Sequence, residues 1–326
     1  MASIRPYLLA ALSLTFVACS GDDGGTVIPE GEHYQFVSKK AYVPTNNNQA
    51  REFGLDLNGD KTVDNQLGMV LGTLSTMGFD IQATINEAVA EGSIILLVDF
   101  QTPDPTFTSS SASGLRVLLG DVPTPAACNL GETYCNTATP PVCTGCQRHL
   151  NGMGSFTVAA GSPPALGGKI INGTFTGGPG DLSLQIALGG TDGIQLDLIG
   201  ARAKASGISA DGMTSVILAG ALTEEDLNTK VIPAISTQIA PVIAEDCNAL
   251  TSPPACGCMA GSTGKTVLDL FDGGDGTAKN CAVSVEEIKQ NSLIQSLLAP
   301  DVTIDGRKAL SLGIKVETVK ATFPAQ

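Results

Sequence analysis

Residues 194–221 read IQLDLIGARAKASGISADGMTSVILAGA, and their pattern decides the fold. Ile194, Leu196 and Leu198 alternate with Gln195 and Asp197. A period of two sends successive side chains to opposite faces of a strand, one apolar and one wet. Ala201–Ile208 and Met213–Ala221 read as strands too, with Gly, Asp and Asn turns between such runs. Those are the residues that antiparallel hairpins require. Working outward, Lys169–Phe175, Leu182–Leu188 and, near the end, Leu312–Phe323 read as further strands. Ser93–Phe100 (SIILLVDF) and Leu115–Leu119 are continuous apolar runs bounded by turn residues, expected as buried strands.

Helical spacing occurs in three places. Over Asn65–Gly92, Leu67, Val70, Leu71, Leu74, Ile81, Ile85 and Val89 share a face, and Gly68, Gly72 and Gly78 divide it into two short helices. Thr223-Glu-Glu-Asp226 resembles a capping box, and Leu227, Val231, Ile235, Ile239 and Ile243 recur every four residues after it. Pro233 and Pro241 predict a kink or break there. Ser284-Val-Glu-Glu287 is a second capping box, predicted to open a helix through about Leu298. The sum is an α+β fold over 33–326: a mostly antiparallel β-sheet with several packed helices and disulfide-stapled loops.

Composition narrows the function. The chain has 326 residues, 43% hydrophobic and only 4% aromatic, with a net charge of -14. It has ample apolar material for a core, which excludes wholesale disorder. The negative charge repels phosphate backbones, so no nucleic-acid partner is expected. Few aromatics also mean few platforms for stacking bases or sugars.

The first residues carry an export signal. Arg5 precedes an apolar run, Tyr7–Ala18, which is too short to span a bilayer. The run ends in Phe16-Val17-Ala18-Cys19, which resembles the bacterial lipobox, with Phe16 where Leu is usual. Residues 1–18 are therefore expected as signal peptide and Cys19 as the lipidated residue, with 19–32 a flexible tether. Ser20 resembles the second residue of lipoproteins sent to the outer membrane. The expected location is the outer membrane or cell surface, with the membrane itself a partner through the N-terminal lipid.

Eight cysteines remain after Cys19: Cys128, Cys135, Cys143 and Cys146, then Cys247, Cys256, Cys258 and Cys281. Each group of four can pair within itself, stapling Cys-rich insertions near 122–149 and 247–282 in an oxidising compartment. Zinc on Cys143, Cys146 and His149 is the competing reading; Cys128 and Cys135 are too widely spaced for a second knuckle.

The sharpest local signal is acidic. In Asp56-Leu-Asn58-Gly-Asp60-Lys-Thr62-Val-Asp64, oxygen donors recur at alternate positions, as wrapping a calcium ion requires. Asp56, Asn58, Asp60, Thr62 and Asp64 are the expected ligands. Asp301, Thr303 and Asp305 repeat part of the pattern, and Leu312-Gly313 follows as Leu67-Gly68 follows the first loop. A third region holds Asp269, Asp272, Asp275, Asn280 and Glu287. The first loop resembles EF-hand and dockerin calcium loops, departing from them at Lys61 and at Leu67. The competing reading is that such loops are simply good turns. FGLDLNGDKTVDNQLG, VSVEEIKQNSLIQSLLAPDVTIDG and ALSLG also resemble stretches of uncharacterised lipoproteins from myxobacteria and related delta-proteobacteria. That resemblance implies a surface lipoprotein with EF-hand-like segments and no known activity.

No catalytic motif emerges. His33 and His149 are the two histidines, and no GxSxG nucleophile elbow exists for either to serve. Gly264-Lys265-Thr266 resembles the end of a P-loop, but Met259 stands where its first Gly belongs. The expectation is a calcium-binding, non-catalytic surface lipoprotein with a structural or binding role and no organic cofactor, docking a protein partner at the surface. The alternatives are a periplasmic carrier of apolar ligands and a secreted hydrolase that uses calcium for stability.

Overall fold

The computed structural model describes residues 27–76, 81–128, 145–161, 163–186, 193–247 and 255–324. The strands are β1 (Glu32–Tyr42), β2 (Leu96–Thr102), β3 (Ser109–Thr124), β4 (Gly154–Val158), β5 (Leu166–Ile171), β6 (Thr174–Ile186), β7 (Ile194–Ser209), β8 (Gly212–Thr223), β9 (Val302–Ile304) and β10 (Arg307–Thr322). Helices α1 (Asn47–Phe53), α2 (Gln66–Thr76) and α3 (Ile81–Glu91) join β1 to β2. Between β8 and β9 come α4 (Glu224–Asp226), a π turn (Leu227–Val231), α5 (Ile232–Asp246), α6 (Thr263–Phe271), α7 (Val285–Gln290) and α8 (Ser292–Leu297).

The pairings form a closed circuit. β1 pairs β2, β2 pairs β3, β3 pairs β5, and β5 through β8 follow as antiparallel neighbours. β10 lies between β8 and β1, antiparallel to both. Closure satisfies the backbone groups that an open sheet would leave at its edges. A barrel of this strand number has an interior that side chains just fill. Here Phe36, Phe100, Leu115, Phe175 and Leu184 fill it, with Ala201, Ala203 and Ala205 of β7 making room. Phe175 faces Ala205 directly across β6 and β7. At one end Phe100 meets Phe175 edge-on at 5.2 Å, and Phe107 meets Tyr34 at 4.8 Å, as an aromatic stopper.

Helices cover the other end, and the strand directions dictate this. β1 and β8 both run antiparallel to β10, so their C-terminal ends point the same way. Each delivers the helices that follow it to that end. Two smaller cores lie on the barrel's outer face. Val37, Leu97 and Leu118 pack under Phe156 of β4 and Phe323. Ala219 and Ala221 of β8 pack under Leu57 and under Val302 and Ile304 of β9.

The expected mostly antiparallel sheet with packed helices and stapled loops is present. Strands make up 41% of the described residues, so the fold leans further towards β than a balanced α+β reading implies. The helix predicted over 284–298 is two helices. Asn291 breaks it at φ -66° and ψ 122°, and its side chain accepts from the N–H groups of Leu293 and Ile294 to start α8. Pro233 and Pro241 do not end their helix: Pro233 sits in the first turn of α5, and Pro241 lies inside it. The described part of the expected tether already touches the barrel, where the Glu30 N–H donates to the Ala112 carbonyl at 2.9 Å. Cys19, Cys135 and Cys143 lie outside the described residues.

Candidate functional site: an acidic loop and an apolar chamber

The acidic loop is closed at its base by a bridge between Leu55 and Asp64. Inside it, Asp56 accepts from the N–H groups of Gly59 (2.7 Å) and Lys61 (2.9 Å). Asn58 accepts from the Asp60 N–H at 2.9 Å, and Asp60 from the Thr62 N–H at 2.7 Å. The Thr62 contact is the main reason that the Asp60 carboxyl sits below its ordinary pKa. Lys61 has φ 70°, the left-handed backbone that a Gly would normally supply for the sharp turn. Leu57 anchors the loop on the barrel, and its N–H donates to Asp64 at 2.8 Å.

Asp64 is buried. Desolvation raises its pKa, the Leu57 N–H opposes this, and the charges of Asp301, Asp60 and Asp56 add to the rise. Among the described residues no salt bridge reaches any of these four carboxylates. Each oxygen that accepts one N–H keeps a second lone pair. However, no three of the loop's carboxylates bring oxygens within 4.8 Å of one another. The loop therefore has the donor set of a hard-cation site in a conformation stabilised by its own backbone.

The loop passes directly into α2 through Asn65, which is 2% exposed. The Asn65 side chain donates to the carbonyls of Ala50 and Gly313 at 2.9 and 3.0 Å. It accepts from the N–H groups of Gly68 and Gly313 at 3.0 and 2.8 Å. A Cβ on Gly313 would stand 2.2 Å from the Phe53 carbonyl oxygen, so the close approach of β10 to α1 requires glycine there. The Gln66 N–H donates to Ser311 Oγ at 2.7 Å, and Ser311 donates in turn to Asp301.

The other predicted ligands lie elsewhere. Thr303 is in β9, and Asp305 with Gly306 forms the tight turn into β10, both at positive φ. Asp301 accepts from the Ser311 N–H at 2.8 Å. The segment is thus a hairpin and not a wrapping loop. In the third region Asp272 accepts from the N–H groups of Asn280 and Cys281, and buried Glu287 from those of Gly273 and Ser284. Asp275 accepts from Thr277, and Asp269 pairs with Lys265. The Asn280 side chain accepts from the Ala282 N–H. Cys256, Asp272 and Cys281 do converge, but both sulfurs are joined in a disulfide.

Among the described residues, three disulfides link Cys128 to Cys146, Cys247 to Cys258, and Cys256 to Cys281, each within its sequence group. The bond at Cys146 removes a ligand from the zinc reading. His149 is 1% exposed and makes no hydrogen bond of good geometry among the described residues. Burial holds its pKa down at about 4, against a weaker upward pull from the Val89 backbone. His33 Nδ1 lies 2.9 Å from Asp99.

Sequence reasoning did not locate the chamber between the barrel and its helices. It encloses about 120 Å³. Leu67, Val70 and Leu71 of α2 form one wall, and Ile235 and Ile239 of α5 another. Val267 and Phe271 of α6 and Ile294 and Leu297 of α8 close the sides, over Ile186, Leu196 and Leu312 of the barrel. Among the described residues no charged side chain lines it. Thr73, Gln238 and the 46%-exposed Leu293 lie where it meets solvent. The four-residue spacing over 227–243 was the available signal, since its apolar stripe contributes Val231, Ile235 and Ile239. Comparison with protein families, curated proteins and solved structures returned no match.

Proposed function

We propose that this chain is an envelope protein, held by lipid on Cys19, which binds an apolar ligand in the chamber without catalysis. The chamber carries this reading. Its wall comes from several separate elements, and its described lining carries no charged side chain. Such a site recognises hydrocarbon by area removed from water, at about 25 cal/mol per Å². A void of similar size, about 150 Å³, made by truncating a core leucine is known to stay dry and take up benzene. The test is calorimetric titration of the purified oxidised protein with a small apolar probe, benzene. Saturable binding is expected, weakened at least about tenfold by Ile239→Trp, which fills the chamber. Leu71→Phe, a smaller intrusion, guards against misfolding of the first variant. Binding untouched in both variants would place the probe elsewhere and overturn the reading.

Calcium is the second element of the proposal. Buried Asp64 feels the charges of Asp301, Asp60 and Asp56, and among the described residues no salt bridge reaches any of the four, which supports it. Asp56, Asn58, Asp60, Thr62 and Asp64 would supply oxygen donors suited to a hard cation. Bound ion would stabilise the fold by mass action and steady the start of α2, which is a wall of the chamber. A melting midpoint that rises with calcium and falls with EGTA is expected, with the difference lost in Asp60→Ala. No difference between calcium and EGTA would reduce the loop to a turn.

A further inference from the structure

The outer face of β5–β7 carries a row of cations beside the place where the N-terminal segment meets the barrel. Ile170, Phe175, Ala203 and Ala205 pack in the core, so their neighbours Lys169, Thr176 and Lys204 point outward. The register sets these three in one cross-strand line, Lys169 opposite Thr176 and Thr176 opposite Lys204. Arg202 stands two residues before Lys204 on the same face of β7. Lys169, Arg202 and Lys204 line one groove of about 430 Å³, together with Asp56. Among the described residues no salt bridge reaches any of the three cations. The Arg202 Nε is buried and has no hydrogen-bond partner among them. Asp56 accepts instead from the N–H groups of Gly59 and Lys61.

The N-terminal segment is fixed on this same face, and Val27 lines the groove with the cations. A Cβ on Gly167 would overlap the Val27 carbonyl, and one on Gly114 would overlap Pro29, so the close approach requires glycine at both positions. Gly167 and Lys169 are alternate residues of β5 on one face, about 7 Å apart. Cys19 lies eight residues before Val27, a reach of at most about 29 Å. We infer that this basic face docks on the anionic phospholipid surface of the membrane that holds Cys19. Phosphate headgroups take the donors of Arg202, Lys169 and Lys204 and the Thr176 hydroxyl between them. At long range the charge of -14 opposes approach of a free chain to such a surface. The anchor supplies the proximity. Attraction between exposed cations and the headgroups acts within a Debye length, about 8 Å, so a row beside the tether counts where a distant one would not.

This inference rests on the proposed lipid anchor at Cys19 and is independent of the chamber. The test is lysine acetylation, read by mass spectrometry, of the lipidated chain on vesicles of phosphatidylcholine with or without phosphatidylglycerol. Lys169 and Lys204 are expected to react at least about fivefold more slowly on the anionic vesicles. Lys308 and Lys320, exposed on β10, are expected to react at the same rate on both. Arg202→Gln with Lys204→Gln is expected to remove the protection of Lys169. Lys169→Gln alone, a milder surface change, is expected to weaken that of Lys204. Equal reactivity on the two vesicle types, or equal protection of all four lysines, overturns the inference while leaving the anchor intact. Protection by inorganic phosphate on pure phosphatidylcholine vesicles would make the groove a site for soluble anions and overturn the membrane assignment. A chain that floats with neither vesicle overturns the anchor and the inference together.

Discussion

Asn65 shows how much one side chain settles. Its amide meets four backbone partners on α1, α2 and β10, with no donor or acceptor left over. Asn65→Ala would strand these buried groups, so a loss of at least about 3 kcal/mol is expected in denaturant unfolding. The sequence placed Asn65 at the edge of an acidic loop, and the partner at Gly313 lies 248 residues away. His149 is the second such residue. Its folded pKa, about 4, lies below the usual 6.5 of an unfolded chain. Between those values the unfolded state binds more protons. The stability from neutral burial is thus complete above pH 6.5 and is lost as pH falls towards 4. Replacing it by Leu should flatten the stability–pH curve across that window, removing a slope worth up to about 3 kcal/mol. A variant curve as steep as the original would show that other groups carry the slope.

At the scale of elements, the acidic loop and α8 deserve contrast. The loop's pattern was legible because alternate donors, an Asx-rich turn and a following helix are all local features. Its charge balance was not, since Asp301 approaches Asp64 through the hairpin of β9 and β10. That crowding predicts a change of sign. With calcium removed, Asp64→Asn relieves repulsion and should raise the melting point by about 2–4 °C per kcal/mol gained. With calcium present the same change removes a ligand and should lower it. A shift of one sign in both conditions would sink the calcium proposal. The break at Asn291 was missed because a capping-box helix gives no local stop signal there beyond a single Asn. Its cap geometry and its side-chain bond to the Leu270 carbonyl at 2.8 Å fix the new direction of α8.

On the scale of the molecule, a rigid barrel carries a helical layer that two disulfides staple. Cys247–Cys258 ties the end of α5 to the segment before α6, and Cys256–Cys281 ties that segment to the one after it. Removing either bridge by Cys→Ala pairs should cost about 2–4 kcal/mol. Hydrogen exchange should then rise first in α5–α8, with the paired amides of β6–β8 still protected. Uniform loss of protection across barrel and helices would show the two layers to be one cooperative unit.

The elements are legible along the chain: period-two runs and Gly/Asp turns specify antiparallel hairpins, and two separate cysteine groups specify local staples. These signals are short-range, acting within a turn, a strand or one closed loop of chain. Closure of the sheet is a long-range outcome, because β1 meets β10 and β3 meets β5 across long stretches of chain. Closure gives the barrel two ends, and the shared direction of β1 and β8 puts every major helix at one of them. The chamber arises where those helices meet the barrel. No single segment contains it, since its walls are assembled from side chains that meet only when the circuit of strands is complete.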